Sequence, residues 1–181
     1  KKDLKKFVML PWELYKGNQN WVPPLIKDMM GTIDKKANPE MHGGNYELFL
    51  ALDGKNAVGR IFTAIDETLN RKKKSNMGFF SLFECIDNYD VAKLLFDTAI
   101  EWFKKRDVNY VMGPFSPAGT DSDEYKGLLI DSFDKPPVVM NSYNLPYYRD
   151  LIERYGFKKN LDLFAYHLDS RTLFSKNPEK A

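Results

Sequence analysis

Glu84 stands inside Met77–Ile86, MGFFSLFECI, a run of apolar and aromatic residues. A carboxylate there is costly to bury without a partner. It has the chemistry to take a proton from an amine, the work of a general base. The competing reading is a buried glutamate satisfied by backbone or by Arg60. Ile86, Asp87, Asn88, Tyr89, Asp90, Val91 and Ala92 follow at once, a short junction opening into an amphipathic helix. A strand-to-helix junction can hold phosphate on its unpaired N–H groups and helix dipole. This one has no glycine, and Asp87 and Asp90 repel an anion while suiting helix capping. Tyr148 offers a hydroxyl that can donate a proton, and Tyr143 and Tyr147 can line a substrate pocket; core packing competes for all three.

Periodicity defines the elements that must hold these residues. Residues 4–16 read as a short amphipathic helix that Pro11 starts or kinks. Pro23 and Pro24 exclude a regular element around them, and residues 25–31 read as a second short helix. YELFLALDGKNAVGRIFTAID holds two β-rich runs about Asp53-Gly54-Lys55-Asn56, a hairpin pattern. ETLNRKKKSN reads as a polar connection, with Arg71–Lys74 at a solvated tip. Met77–Ile86 is apolar on both faces, so it should be a central strand covered on both sides, with Glu84 and Cys85 pointing oppositely.

Val91, Leu94, Leu95, Thr98, Ala99 and Trp102 recur at helical spacing, and Glu101 and Lys105 form an i,i+4 pair. VNYVMG is the next strand, which makes a parallel strand–helix–strand crossover. Residues 113–143 form a long connection of the kind that in compact domains is either functional or disordered. NLPYYRDLIERYG reads as a helix with Asn144 as N-cap, Pro146 in the first turn and Gly156 just past the end. FKKNLDLFAYHLD alternates as a last strand, and residues 170–181 read as a linker or the start of a further module.

The composition bounds the class. The chain has 181 residues, 43% of them hydrophobic, enough for one domain with its own core. A net charge of +2, from 27 basic and 25 acidic residues, argues against a dedicated nucleic-acid partner. A single cysteine, Cys85, excludes an internal disulfide and a multi-cysteine metal site, and fits a reducing compartment. No apolar run reaches membrane-spanning length, and no His/Asp/Glu spacing suggests a metal site.

The order of helices, hairpin, central strand, helix, strand, helix and strand resembles the Gcn5-related N-acetyltransferase (GNAT) superfamily. FECIDNYDVAKLLFDTAIEWFKKRDVNYV is similar to its cofactor strand, helix and next strand. YYRDLIERYGFKKNLDLFAY is similar to its closing helix, Gly-Phe turn and final strand. WVPPL, GRIFTAID, FFSLFEC, GPFSP and GLLIDSFDKPP resemble a bacterial and archaeal group of N-acetyltransferase-like proteins, matched from Phe7 to Asp169. Members of that group are about twice this length, so the resemblance implies an N-terminal half, with residues 1–169 as a GNAT-like domain whose first strand is missing or trimmed.

The resemblance implies an α/β (α+β) acyl-CoA N-acyltransferase fold, a mixed central sheet flanked by helices. It implies acetyl-CoA or another acyl-CoA as co-substrate, a small-molecule or peptide amine as acceptor, and a cytoplasmic setting. The superfamily's junction reads Gln/Arg-x-x-Gly-x-Gly/Ala, which lets backbone approach the pyrophosphate. Here Asp87 falls on the Gln/Arg position and Asp90 on the first glycine, and only Ala92 matches. The tyrosine that protonates the leaving thiolate falls on Ile152, with Tyr148 one helical turn earlier. Glu84 takes the position where members place a basic carboxylate.

Three functions compete: an acyl-CoA-dependent N-acyltransferase, a non-catalytic GNAT-like half supporting a second domain, and a binding domain for a ligand other than CoA. His42 and His167 are unspecific, and Ser116–Gly127 is a polar stretch that covers a pocket or makes a plain surface excursion.

Overall fold

The computed structural model describes residues 2–34, 36, 38, 45–117 and 126–166. Strands β1 (Tyr46–Asp53) and β2 (Asn56–Ala64) form the expected antiparallel hairpin, closing at Asp53 opposite Asn56. Gly54 lies at φ +57°, the left-handed region that a two-residue turn requires and glycine enters freely. β2 pairs antiparallel with β3 (Met77–Cys85), which pairs parallel with β4 (Tyr110–Met112), so the sheet is mixed, in the order β1-β2-β3-β4.

Two features shape the far end of β3. Arg60 opposes Glu84 and Phe62 opposes Ser81, so Leu82 and Phe83 face Ile61 alone. This is a β-bulge, with Leu82 at φ +49°. The pairing of β3 with β4 stops at Phe79 opposite Met112, followed only by the Phe115 N–H to the Phe80 carbonyl at 2.9 Å. Beyond Phe80, that edge of β3 has no strand partner among the described residues.

Helices cover both faces of β3, as its apolar pattern requires. On one face α1 (Lys2–Leu14) and α2 (Ile26–Thr32) pack Phe7, Val8 and Met29 against Phe62 and Leu82. On the other, α4 (Tyr89–Lys104) and α5 (Tyr148–Tyr155) pack Phe96, Phe103, Leu151 and Ile152 against Phe80 and Phe83. A Cβ added at Gly78 would lie 2.4 Å from the Phe103 ring, so α4 rests directly on the β3 backbone there.

Four local expectations are corrected. Glu67–Lys73 is a helix, α3, capped by the Asp66 side chain on the Leu69 N–H at 2.8 Å. Arg71–Lys73 form its last turn and Lys74 its C-cap, so the basic run sits against C-terminal carbonyls rather than at a hairpin tip.

The buried stripe of α4 is Ala92, Leu95, Phe96, Ala99, Trp102 and Phe103, and Leu94 is exposed. The helix is turned from the expected phase because this stripe buries Phe96 and Phe103 as well as Trp102, far more apolar area than Leu94 and Thr98 supply.

Asn144 and Pro146 precede α5, whose N-cap position is Tyr147. The Asn144 side chain instead grips Leu129, accepting its N–H at 2.6 Å and donating to its carbonyl at 3.3 Å. Gly156 does close α5, at φ +118°, with its N–H on the Glu153 carbonyl.

No strand forms over residues 157–166. Leu161, Leu163, Phe164 and Tyr166 are exposed, because three-residue β4 offers little edge and none of its backbone bonds reach them.

Candidate active site

β2 and β3 bring Arg60 and Glu84 side by side, because opposed residues of an antiparallel pair share a face. Arg60 is 2% exposed, and its Nη2 lies 3.6 Å from Glu84 Oε1. The chain turns just after α1 and delivers Tyr15, whose hydroxyl donates to Glu84 Oε2 at 3.1 Å. Tyr148, the first residue of α5, donates to the same oxygen at 2.6 Å. Tyr148 Oη in turn accepts the Cys85 N–H at 3.1 Å, and the Tyr147 hydroxyl donates to the Cys85 carbonyl at 2.7 Å. Three parts of the chain, β2, the turn after α1 and the start of α5, thus converge on two consecutive residues at the end of β3.

The structure bears out a paired glutamate: the carboxylate faces Arg60 and accepts from Tyr15 and Tyr148. Burial pushes its pKa up, and Arg60, Tyr148 and Tyr15 in turn hold it down, with a net rise. Oε2 is filled by two hydroxyls. Among the described residues Oε1 faces the Arg60 guanidinium at 3.6 Å, too long for a tight hydrogen bond. Burial, then the Glu84 charge, drives the Tyr15 and Tyr148 phenols well above their usual range, so both stay protonated as donors.

Cys85 lies fully buried, its thiol pushed up to about 12 first by burial, then by Asp87 and Glu84. It is an inert core thiol, as expected of its face. Ile152 is buried against Tyr148 and Leu151 in the α4–α5 core and offers no polar group at the superfamily's tyrosine position. Tyr143 stands one ring away from Glu84: its centroid is 6.2 Å from that of Tyr15, and its hydroxyl exchanges hydrogen bonds with the Asn18 amide. Trp21 stacks on Tyr15 at 4.8 Å.

The junction after Cys85 satisfies itself. The Asn88 side chain caps α4 by accepting from the Asp90 and Val91 N–H groups, a role expected of Asp87 or Asp90. Asn88 leads because its own extended backbone, φ −149°, turns the side-chain oxygen back over the first turn. The Ile86 N–H goes to the Val58 carbonyl, that of Asn88 to Ile86, and that of Ala92 to the Asn88 carbonyl. Only the Asp87 and Tyr89 N–H groups find no acceptor among the described residues. The Arg154 guanidinium lies 3.8 Å over the Tyr89 ring. The junction therefore leaves two N–H groups without an acceptor among the described residues, short of the continuous cradle that glycines provide.

Tyr15, Asn88 as cap and Arg154 escaped sequence reasoning. Tyr15 lies 69 residues from Glu84, and no periodicity links a post-helix tyrosine to a distant strand. Asn88 carried a readable signal, being a strong N-cap type two residues before the first apolar position of the helix. His42, His167, the middle of Ser116–Gly127 and residues 170–181 lie outside the described residues. A surface depression lined by Lys74, Ser75, Asn76, Met77, Asn109 and Tyr110 lies at the opposite end of β3 from Glu84. Among the described residues no three acidic, histidine or cysteine side chains gather as metal ligands, and no helix is long and apolar enough to cross a membrane.

No family model matches the chain. It is 33% identical over 168 residues to a bacterial ceramide synthase of Caulobacter vibrioides, covering 92% of this chain and 43% of that protein. It is 32% identical over 173 residues to Protein YghO of Escherichia coli (strain K12), covering 96% of this chain and 43% of that protein. The chain therefore spans less than half the length of the curated relatives it matches.

Among solved structures it is similar to an aminoglycoside acetyltransferase, meta-AAC0020, from an uncultured soil metagenomic sample. The complex with sisomicin superposes with a TM-score of 0.53 at 14% identity, and the complex with trehalose with 0.54 at 15%. Each match covers 93% of this chain and 91% of the other. At that identity the likeness establishes the fold alone: this chain has a GNAT-like fold, a four-stranded mixed sheet flanked by helices.

Proposed function

We propose that the chain is an acyl-CoA-dependent N-acyltransferase domain, moving an acyl group from a CoA thioester to an amine. One observation carries this reading: a half-buried carboxylate, Glu84, fixed by Arg60, Tyr15 and Tyr148 at the end of the central strand of an acetyltransferase fold, where no strand among the described residues pairs with the outer edge of β3. The ceramide synthase relative supports an acceptor in which the amine sits on a long alkyl chain, since a ceramide is an N-acylated long-chain amino alcohol.

When bound, the co-substrate supplies the activated acyl carbon. The chain's own residues handle the proton. Glu84 Oε1 accepts it from the acceptor ammonium, and its raised pKa brings it toward the range where a general base works at neutral pH. Tyr148, hydrogen-bonded to Glu84 at 2.6 Å, holds a proton ready at Oη for a leaving group. The Asp87 and Tyr89 N–H groups, with Arg154, would hold one phosphate. The Asp87 and Asp90 carboxylates oppose it, so the affinity should be modest and salt-dependent.

The test is calorimetric titration with acetyl-CoA and with a long-chain acyl-CoA, followed by release of free thiol when a long-chain amine is added. Heat with at least one donor and thiol release on adding amine support the reading. No heat with either donor overturns it for this chain. The self-capped, acidic junction favours a second reading, a non-catalytic half that supports another domain. That reading requires thiol release to be absent here.

A further inference from the structure

Helix α1 contains a proline, and its consequence reaches the site. Pro11 has no N–H, so the Phe7 carbonyl one turn back lacks its helical donor. The buried Arg60 takes that carbonyl, its Nη1 donating at 2.7 Å while its plane lies 5.1 Å over the Phe7 ring. Four residues after Pro11, the Tyr15 N–H donates to the Pro11 carbonyl at 2.8 Å and carries the chain out of the helix with Tyr15 facing Glu84. The Tyr15 ring is clamped by Trp21, which itself meets Trp12 of α1 edge-on at 5.3 Å.

We propose that α1 positions Glu84 through two anchors, the Phe7 carbonyl that Pro11 frees for Arg60 and the Tyr15 hydroxyl on Oε2, and that Tyr15 is a positioning residue for proton transfer at Oε1. The inference rests on the N-acyl-transfer reading for its catalytic meaning, and the geometry of the free chain carries the rest. With Oε2 held by Tyr15 and Tyr148 together, the carboxylate cannot rotate to exchange its oxygens. Loss of Tyr15 leaves one hydroxyl on Oε2 and frees that rotation. The charged and titratable groups facing Glu84 are Arg60 from β2, Tyr15 after α1 and Tyr148 from α5; Cys85 and Tyr147, which feel its charge, are both shifted upward and stay neutral near pH 7.

The experiment follows the Glu84 carboxyl carbon by NMR in the free chain as pH is varied, for wild type, Tyr15→Phe and Pro11→Ala. Circular dichroism checks that each variant is folded. Tyr15→Phe removes one hydrogen bond to the charged form, so the Glu84 midpoint should rise by about one pH unit. The acidic limb of kcat/KM should rise with it. Pro11→Ala returns a donor to Phe7 and competes with Arg60, so it should raise the midpoint by a smaller step. An unchanged midpoint in folded Tyr15→Phe overturns the inference even if the wild type transfers acyl groups. A shifted midpoint in a chain without transferase activity sustains the positioning role and sinks the functional reading instead.

Discussion

Two adjacent regions, Glu84–Cys85 and the junction of residues 86–92, solve their polar bookkeeping in opposite ways. Glu84 and Cys85 are satisfied from a distance, by Arg60, Tyr15, Tyr147 and Tyr148. The junction is satisfied locally, by Asn88 and by its own carbonyls. Long-range satisfaction is the more demanding arrangement, since three parts of the chain must dock before the carboxylate has partners. In a half-buried position it leaves one oxygen, Oε1, loosely held. Local satisfaction closes the helix end and leaves two N–H groups without an acceptor among the described residues. The two regions are thus closed by different means, one by docked elements and one by its own turn.

The largest expected effect breaks the long-range side. Glu84→Gln should keep the fold and lower acyl transfer by roughly 10²–10⁴-fold, the usual contribution of a general base. It should also change stability with pH. The folded pKa is raised, so the native state binds more protons than the unfolded chain between the ordinary value of 4.5 and the folded midpoint. The contribution of Glu84 is therefore fully present below that window and declines as pH rises through it. Urea unfolding from acid to neutral pH should show this decline in wild type and not in Glu84→Gln. Equal slopes in the two proteins would place Glu84 at an unshifted pKa.

Arg60→Ala comes next. It leaves a half-buried carboxylate without its cation and the Phe7 carbonyl without its donor, and should cost about 3 kcal/mol in denaturant unfolding. Arg60→Ala combined with Glu84→Gln should recover part of that loss, because the uncompensated charge goes with it. Strict additivity of the two would show that they do not interact.

The smallest effect sharpens the local side. Asn88→Ala should cost about 1 kcal/mol through the lost cap, and Asn88→Gly only a few tenths. Both release the Asp90 and Val91 N–H groups, so calorimetry should show several-fold tighter acyl-CoA binding for folded Asn88→Gly. Unchanged binding would mean that the junction does not contact the phosphates.

The elements carrying these regions were largely legible. The β1–β2 hairpin, β3, the following helix and the parallel return to β4 rest on local chemistry: Gly54 in its turn, β-rich alternation, and a helical apolar period. α3 was misread because its strongly polar surface resembles a loop, and its cap at Asp66 was the available clue. The last strand was misread because alternation at Leu161 and Leu163 does not make a strand without an edge to bond to. Within the site, Glu84 and its Arg60 partner were readable as a costly carboxylate near a cation. Tyr148 was readable only as one turn from the position implied by the superfamily resemblance.

Sequence alone settled which residues lie in strands and helices over much of the sheet, and that Glu84 needs a partner, because both follow from side-chain chemistry within a few residues. The tertiary structure alone decided that Tyr15 is a partner, that Oε1 faces Arg60 while Oε2 takes both hydroxyls, and that Asn88 closes the junction in place of Asp87 or Asp90. These depend on how α1 and α5 dock against β3 and on one backbone angle at Asn88. No local pattern encodes distances between elements so far apart in the chain.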